Sequence, residues 1–362
     1  MTEDVYRKLQ EHLHEHPMGY PATKSGVEIE LLKKMFEKEE AEIALALTPK
    51  PETPEQMASK LNYDSKVMAE KLEQMSRKGL IMRKRRDNEV LYNLEPYVVG
   101  IYEFQLARLD KEFLALHDKY RMEGFGLEVF GSETPYFRVI PVERSIPTEL
   151  VVFPHEKVSE IIDQAEKIGV TNCICRTKEN MLGRGCGRTV DNCMIFSPYA
   201  ELYIENGWPG RLISREEAFD VLEQAEEEGL VHNSQNAATG QYFICNCCSC
   251  CCGVMSAVKN FNLHTRVGRS YYFSQVNEEL CNGCEECIDR CQFNAISVEK
   301  DMAEINRDFC MGCGLCVSGC STGAISLTRK PDDLIVQPPS DLGAMFDQIG
   351  KEKGRKVKVV VE

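Results

Sequence analysis

Cys281-Asn282-Gly283-Cys284-Glu285-Glu286-Cys287-Ile288-Asp289-Arg290-Cys291 and Cys310-Met311-Gly312-Cys313-Gly314-Leu315-Cys316-Val317-Ser318-Gly319-Cys320 are two copies of one pattern, C-x2-C-x2-C-x3-C. Three thiolates two residues apart wrap a tight loop around one face of a metal core, and the fourth ligand comes from elsewhere. A zinc site takes two C-x2-C pairs and four ligands in all. Two tandem four-cysteine runs demand two sites instead. Each run is followed by a matching tail, Asn294–Val298 and Gly323–Leu327, expected to leave its loop as a short strand. The segment then reads as two pseudo-symmetric halves. Gly283, Gly312 and Gly314 suit a backbone that bends closely around the core and turns N–H groups toward it.

This spacing resembles the bacterial-type ferredoxins, which hold two 4Fe–4S clusters and exchange the fourth cysteine of each run. The resemblance covers about residues 274–330. It implies one cluster on Cys281, Cys284, Cys287 and Cys320, and the other on Cys310, Cys313, Cys316 and Cys291. Where the family places proline after the fourth cysteine, this chain has Gln292 and Ser321.

The 362 residues include 18 cysteines, carry a formal net charge of −14, and are 43% hydrophobic, enough for two or three domains with ordinary cores. With no 18-residue apolar run and a charged start at Met1-Thr2-Glu3-Asp4, neither membrane insertion nor a signal peptide is expected, so the expected setting is cytoplasmic. There, eighteen thiols stay reduced and signify metal, not a disulfide framework. Clusters of this kind are destroyed by oxygen, which points to an anaerobic setting. The acidic balance disfavours nucleic acid or anionic lipid as a partner of the whole chain. Residues 276–330 alone hold nine Asp/Glu against five Lys/Arg, suited to docking on a basic patch of a redox partner.

Upstream, Thr53-Pro54-x-Gln56 starts a helix with an N-cap, a first-position proline and a capping glutamine. A second helix is expected from Ser65 to Lys78, with Val67, Met68, Leu72 and Met75 on its apolar face and Gly79 as C-cap. Leu80–Lys84 and Glu89–Leu94 read as strands joined by an Arg86-Asp87-Asn88 tip. The run from Lys78 to Leu94 is similar to winged-helix transcription regulators. Between Lys60 and Glu89 lie nine Lys/Arg and five Asp/Glu, with Arg83–Arg86 in the wing. That suits phosphate contact, whereas Glu70 and Glu73 on the would-be recognition helix oppose it; an interaction module is the preferred expectation. Tyr97 to about Met122 reads as one long amphipathic helix, with a face wide enough for a partner helix or a second protomer of a homodimer. His12, His14 and His16 are taken as a solvated terminus.

Ten more cysteines fall in residues 145–265: Cys173, Cys175, Cys186, Cys193, and then Cys245, Cys247, Cys248, Cys250, Cys251 and Cys252 within eight residues. A helix from Pro154 to Ile168, ending at Gly169, precedes the first pair. A second, with Ser214-x-x-Glu217 as capping box, ends at Gly229; its tail LEQAEEEGLVH echoes IDQAEKIGVTN. Six thiols so crowded are too many for packing and read as ligands. One or two further 4Fe–4S centres are expected, held by Cys173, Cys175, Cys186 or Cys193 together with the 245–252 run; zinc is the alternative. Neighbours such as Cys247 and Cys248 point opposite ways in extended chain, so two sites can share the run. Arg176, Arg184 and Arg188 would offset the charge, or else be solvated.

The expected fold class is α+β: a winged helix-turn-helix-like domain (1–96), a linker helix and connection (97–144), a cysteine-rich α+β metal-binding domain (145–265), a bacterial dicluster ferredoxin-like domain (274–330) and an extension (331–362) with a short helix near Leu342–Ile349 and a strand at Val357–Val361. The layout resembles multidomain 4Fe–4S binding proteins of anaerobes, which implies an electron carrier or an oxidoreductase subunit with a redox partner protein. The alternative is a redox-sensing winged-helix regulator that binds DNA. An enzyme would need an open iron site, since no nucleophile–base pair or GxGxxG loop is present.

Overall fold

The computed structural model describes residues 4–150, 152–355 and 359. The chain divides into two compact units: Met1–Thr134 with Glu201–Pro209 and Gly343–Glu362, and Pro135–Ala200 with Gly210–Leu342.

The first unit is mainly helical. It opens with α1 (Val5–His14), α2 (Val27–Met35) and α3 (Lys38–Ala44). The three histidines are not solvated: His12 and His14 hydrogen-bond the backbone at Leu47 and Tyr20, and His16 is buried against Phe346. Burial holds the His16 imidazole neutral, its pKa down to about 3. In α4 (Pro54–Leu61) both halves of the capping box form, at 3.3 and 2.9 Å. α5 (Ser65–Arg77) buries Met68, Leu72 and Met75, but Val67 stands exposed at 43%. Val67 lies one residue, about 100°, off the stripe that the other three define. β1 (Met82–Arg86) and β2 (Glu89–Asn93) pair antiparallel, with Arg86 opposite Glu89. Asp87 and Asn88, both left-handed, make the two-residue hairpin turn, so Arg86 closes a strand and is not part of the tip.

The single helix expected from Tyr97 to about Met122 is broken into α6 (Tyr102–Phe104) and α7 (Lys111–Tyr120), with irregular turns between, and α8 (Gly126–Val129) follows beyond it. Asp110 decides the main break, because its carboxylate accepts the Phe113 N–H at 2.7 Å and starts a new helix. The apolar face is used internally: Tyr97 packs on Tyr20, Tyr120 and Phe125. A C-terminal helix, Leu342–Glu352, stands where one was expected. The strand expected at 357–361 lies, Val359 apart, outside the described residues.

The second unit begins with β3 (Phe137–Val139), α9 (Val158–Gln164), β4 (Ile168–Asn172), α10 (Ile174–Met181), β5 (Asp191–Phe196) and α11 (Tyr199–Glu205, mostly assigned to the first unit). It continues through β6 (Arg211–Ile213), α12 (Arg215–Glu227), β7 (Val231–Gln235), β8 (Phe243–Cys247) and α13 (Gly253–Phe261). The strands form one antiparallel sheet in the order β3-β7-β8-β5-β4-β6. The echoing sequences are helix–strand units, α9–β4 and α12–β7, whose helices pack with Val170, Met194, Phe196 and Ile244 on one sheet face. Gly169 does not end a helix; α9 stops at Gln164 and Gly169 lies inside β4. A side chain there would press on Ile195 and Ala200 at 3.2 and 3.3 Å.

Residues 270–330 hold β9 (Tyr272–Val276), α14 (Glu286–Arg290), β10 (Ile296–Glu299), β11 (Met302–Ile305), α15 (Leu315–Ser318) and β12 (Ile325–Arg329). The two tails become β10 and β12, paired with β11 and β9 in matching two-stranded ribbons. No helix among the described residues is long and apolar enough to cross a membrane.

Leu72, fully buried, and Val67, exposed, give a direct check on the α5 face. Leu72→Ala is expected to cost about 3 kcal/mol and Val67→Ala less than about 0.5 kcal/mol, read from denaturant unfolding followed by helical circular dichroism. Equal costs would contradict this orientation of α5.

Candidate metal centres

In the C-terminal region, each loop of three cysteines is completed by the fourth of the other run. Cys281, Cys284, Cys287 and Cys320 line one cavity, of about 310 Å³ of space including open solvent. Cys291, Cys310, Cys313 and Cys316 line a second, of about 320 Å³. These are the two groupings of four cysteines that the ferredoxin resemblance implies. Gly312 makes the second loop possible: its φ is +69°, and a Cβ would stand 2.2 Å from the Tyr272 carbonyl oxygen. Arg290 binds the halves together by donating to the Leu315 carbonyl at 2.7 Å, and it also donates to the Glu226 carbonyl of α12 at 2.8 Å. The sulfurs also receive donors. The Ala295 N–H points to Cys291 Sγ at 3.3 Å and the Ala303 N–H to Cys281 Sγ at 3.5 Å, while the Ser274 hydroxyl lies 3.2 Å from Cys316 Sγ. The donor set and the room fit a 4Fe–4S core in each cage.

Burial differs between the two. Cys284 is exposed, whereas Cys310 and Cys316 are buried. Burial raises the thiol of Cys313 well above its usual range and that of Cys316 to about 12, so loading the inner cage must expel protons.

The ten middle cysteines separate into two sets. On β8 the side chains alternate: Ile244 and Asn246 face the helix-covered side, Cys245 and Cys247 the other. Cys193 of β5 points the same way and lies 3.5 Å from Cys245. Cys173, the N-cap of α10, contacts Cys193 and Cys175; Cys175 contacts Cys252, the N-cap of α13; Cys252 contacts Cys247, and Cys247 contacts Cys245. Six thiols thus close a ring. Hydrogen bonds from Cys175 and Cys193 hold the Cys173 thiol well below its usual range. Its two neighbours, donating those bonds, are held protonated.

Cys186, Cys248, Cys250 and Cys251 form the other set, with all four sulfurs within 4.8 Å of one another. Cys247 and Cys248, adjacent in sequence, turn to different sets. Although burial opposes it, hydrogen bonds from the Arg188 backbone, Cys251 and the Arg188 side chain bring the Cys186 thiol down to about 7.

Arg176 stands against both sets and is 1% exposed. It donates to the Asn246 carbonyl at 2.8 Å and to Asn192, and its Nη1 lies 4.0 Å from Cys248 Sγ. Among the described residues no carboxylate pairs with it. Burial would lower its pKa, and the sulfurs of Cys173, Cys248, Cys247 and Cys193 raise it instead. A buried guanidinium needs anionic partners, and the groups beside Arg176 that can supply the charge are cysteine sulfurs. Arg176 is therefore not a solvated arginine, whereas Arg184 pairs with Glu179 at 2.7 Å.

Sequence reasoning missed Ser274, Asn192, Asn246 and the role of Gln292. Gln292 alone left a signal, because it occupies the family's proline position. Its buried Oε1 accepts both the N–H and the hydroxyl of Ser249, at 2.9 and 3.0 Å, inside the six-cysteine run.

A sequence profile described as a 4Fe-4S binding domain matches residues 274–297 and 303–326. No curated protein matches the chain. The C-terminal region is thus a pair of 4Fe–4S binding domains, and this places the chain among iron–sulfur electron-transfer proteins.

Two substitutions test the geometry. Ser274→Ala should lower the potential of one ferredoxin-type cluster by about 40 mV, the equivalent of about 1 kcal/mol of hydrogen bonding to the more negative reduced state; a potentiometric EPR titration reads this, and no shift would remove Ser274 from the cage. Arg176→Gln should weaken metal retention by the middle cysteines about tenfold or more, with the ferredoxin-type EPR signals intact. Unchanged metal content after chelator challenge would contradict the role of Arg176 as their counter-charge.

Proposed function

We propose that the chain relays single electrons between a donor and an oxidoreductase partner, with the ferredoxin-type pair as its exchange point and the six-cysteine ring as the seat of a further iron–sulfur centre. The observation that carries this is the Gln292–Ser249 contact, which ties the loop after the inner cage's fourth cysteine to the middle cysteine run. When bound, a 4Fe–4S cluster supplies a reversible one-electron store, at a potential set by thiolates, N–H donors and burial. The chain does the rest. Cys284 and the loop around it put the outer cage within reach of solvent, the swapped cysteines hold the cages side by side, and the β8–α13 segment continues inward.

The outer cage also offers a docking face. Glu278, Glu279, Glu285, Glu286 and Asp289 are exposed around it, with Leu280 and Ile288 also exposed among them. An apolar centre with an acidic rim suits a partner that is basic around its own redox centre, and such a surface mainly raises the encounter rate.

The unit of α4, α5 and the β1–β2 hairpin is read as a winged-helix interaction module, not a DNA reader. Its cations are largely engaged within the first unit: Arg83 is buried between Glu73 and Glu205, Arg85 pairs with Glu205, Arg77 with Glu73, Lys71 with Glu39, and Lys78 with Glu37 and Glu40. Breaking these pairs to reach phosphate would offset much of the counterion-release gain.

The test uses anaerobic full-length protein. It should take up at least two electrons per chain from dithionite and reduce cytochrome c, a basic one-electron acceptor, at a rate that falls with salt. Glu285→Lys with Glu286→Lys should slow that step about tenfold at low salt and flatten the salt dependence. Uptake of fewer than two electrons, or tight, sequence-selective binding of duplex DNA by the holoprotein, would overturn the proposal in favour of a regulator.

A further inference from the structure

The middle cysteines do not all face the same kind of centre. In the ring of six, each thiol meets its two neighbours, and no three of the sulfurs gather within 4.8 Å of one another. The other four converge. Cys186 and Cys248 are 4.0 Å apart, Cys250 and Cys251 3.8 Å, and all four sulfurs lie within 4.8 Å of one another. Among the described residues this is the one group of three or more His, Cys, Asp or Glu ligand atoms so gathered. Neither ferredoxin-type set is packed so tightly, although each has four cysteines about its cavity. The distinction is geometric. The thiolates of a cubane bind four different irons and stand well apart. Those of a mononuclear tetrahedral site share one ion, and metal–sulfur bonds of about 2.3 Å set tetrahedral edges of about 3.8 Å. A disulfide is excluded as the reason for the approach, since bonded sulfurs lie about 2.05 Å apart.

We propose that Cys186, Cys248, Cys250 and Cys251 bind a single divalent metal ion, zinc or iron, as a tetrahedral tetrathiolate separate from every iron–sulfur cluster of the chain. This rests on the middle cysteines being metal ligands, and it narrows the further cluster to the ring of six.

Charge agrees with the geometry. Four thiolates around a divalent ion leave two negative charges, and two guanidiniums face them: Arg188 Nη1 at 3.8 Å from Cys250 Sγ, and Arg176 Nη1 at 4.0 Å from Cys248 Sγ. The chain brings the ligands from two places. Three come from one turn, which runs from the end of β8 to the start of α13. The fourth comes from the loop between α10 and β5, where Gly187 is left-handed at φ +75°. That loop is further tied to the end of α12, where Glu228 accepts from the Thr189 N–H at 2.9 Å and Arg188 donates to the Glu228 carbonyl at 3.0 Å. Ala225 and Leu230 pack against Cys248, Cys251 and Cys186, closing one side to water. A single ion here would pin the glycine loop to the cysteine run, beside the Ser249–Gln292 contact, and so fix the segment that reaches the inner cage.

The experiment compares full-length wild type with Cys250→Ala and Cys186→Ala, all purified anaerobically, by metal analysis and acid-labile sulfide per chain. Each variant should lose one equivalent of metal with sulfide unchanged, and the element lost says which ion is native. Because the two cysteines sit on separate segments, equal losses mark a shared site and not a local folding defect. Loss of several irons together with sulfide would overturn the proposal in favour of a cluster, as would metal content unchanged by either substitution. The ferredoxin-type EPR signals, read on the same samples, report on the electron-transfer reading independently. Their absence from the wild type would count against that reading and leave the single-ion result to stand or fall alone.

Discussion

Gathering thiolates is electrostatically unfavourable, and that constraint governs the second unit. Eighteen cysteines within residues 173–320 can be held in tight sets only if their charge is met by metal, by protons or by nearby cations. The chain shows protons and cations at work and leaves room for metal. Burial pushes Cys313 and Cys316 of the inner cage toward their protonated forms, and hydrogen bonds to neighbouring sulfurs together with burial do the same for Cys175 and Cys193 of the ring. Arg176 is buried with sulfur, and no carboxylate among the described residues, as its counter-charge. A buried guanidinium without an anion is among the more costly features a core can hold. Its position makes sense when the sulfurs around it are ligands.

Strand alternation then decides which sulfurs belong together. On β5 and β8 the side chains facing α9 and α12 are apolar or amide: Met194, Phe196, Ile244 and Asn246. The opposite face carries Cys193, Cys245 and Cys247. Asn246 locks the two strands from the covered side, donating to the Asn192 carbonyl at 2.7 Å and meeting His232 at 2.7 Å. Where β8 ends, alternation gives way to a turn, and Cys248, Cys250 and Cys251 pass to the other set. Cys252 returns to the ring as the N-cap of α13, in contact with Cys175 and Cys247.

Legibility in the sequence followed the range of the interactions. The ferredoxin-type loops could be read because their ligands are local and their spacing is fixed by the core they surround. α4 could be read because capping acts within three residues. The six-stranded sheet could not: β4, β5, β7 and β8 are short, pair across long separations and carry cysteine or asparagine where alternating apolar residues would give a signal. Helical periodicity before Gly169 extended too far for a related reason, since Ile168 and Val170 satisfy a buried strand as well as a helix. Likewise, the Tyr97–Met122 stripe hid the capping aspartate that divides it. The three histidines looked exposed because nothing local shows that α1 and the turn after it meet Leu47, Tyr20 and the distant C-terminal helix.

Gln292 shows how a departure from a family pattern can carry structural information. Proline at that position would stiffen the loop after Cys291 but could accept no side-chain hydrogen bond. Glutamine gives up that stiffness and gains a buried carbonyl that takes two donors from Ser249. The loop after the inner cage's fourth ligand is thereby fixed by the very run that supplies six middle cysteines. Rigidity comes from a neighbouring element and not from the local backbone, so the position of the inner cage depends on the folding of the middle cysteine run. Loss of order around Cys248–Cys252 would release Gln292 and, through it, Cys291. In a chain of this kind the middle cysteines support the ferredoxin-type pair structurally, whatever electrons pass between them.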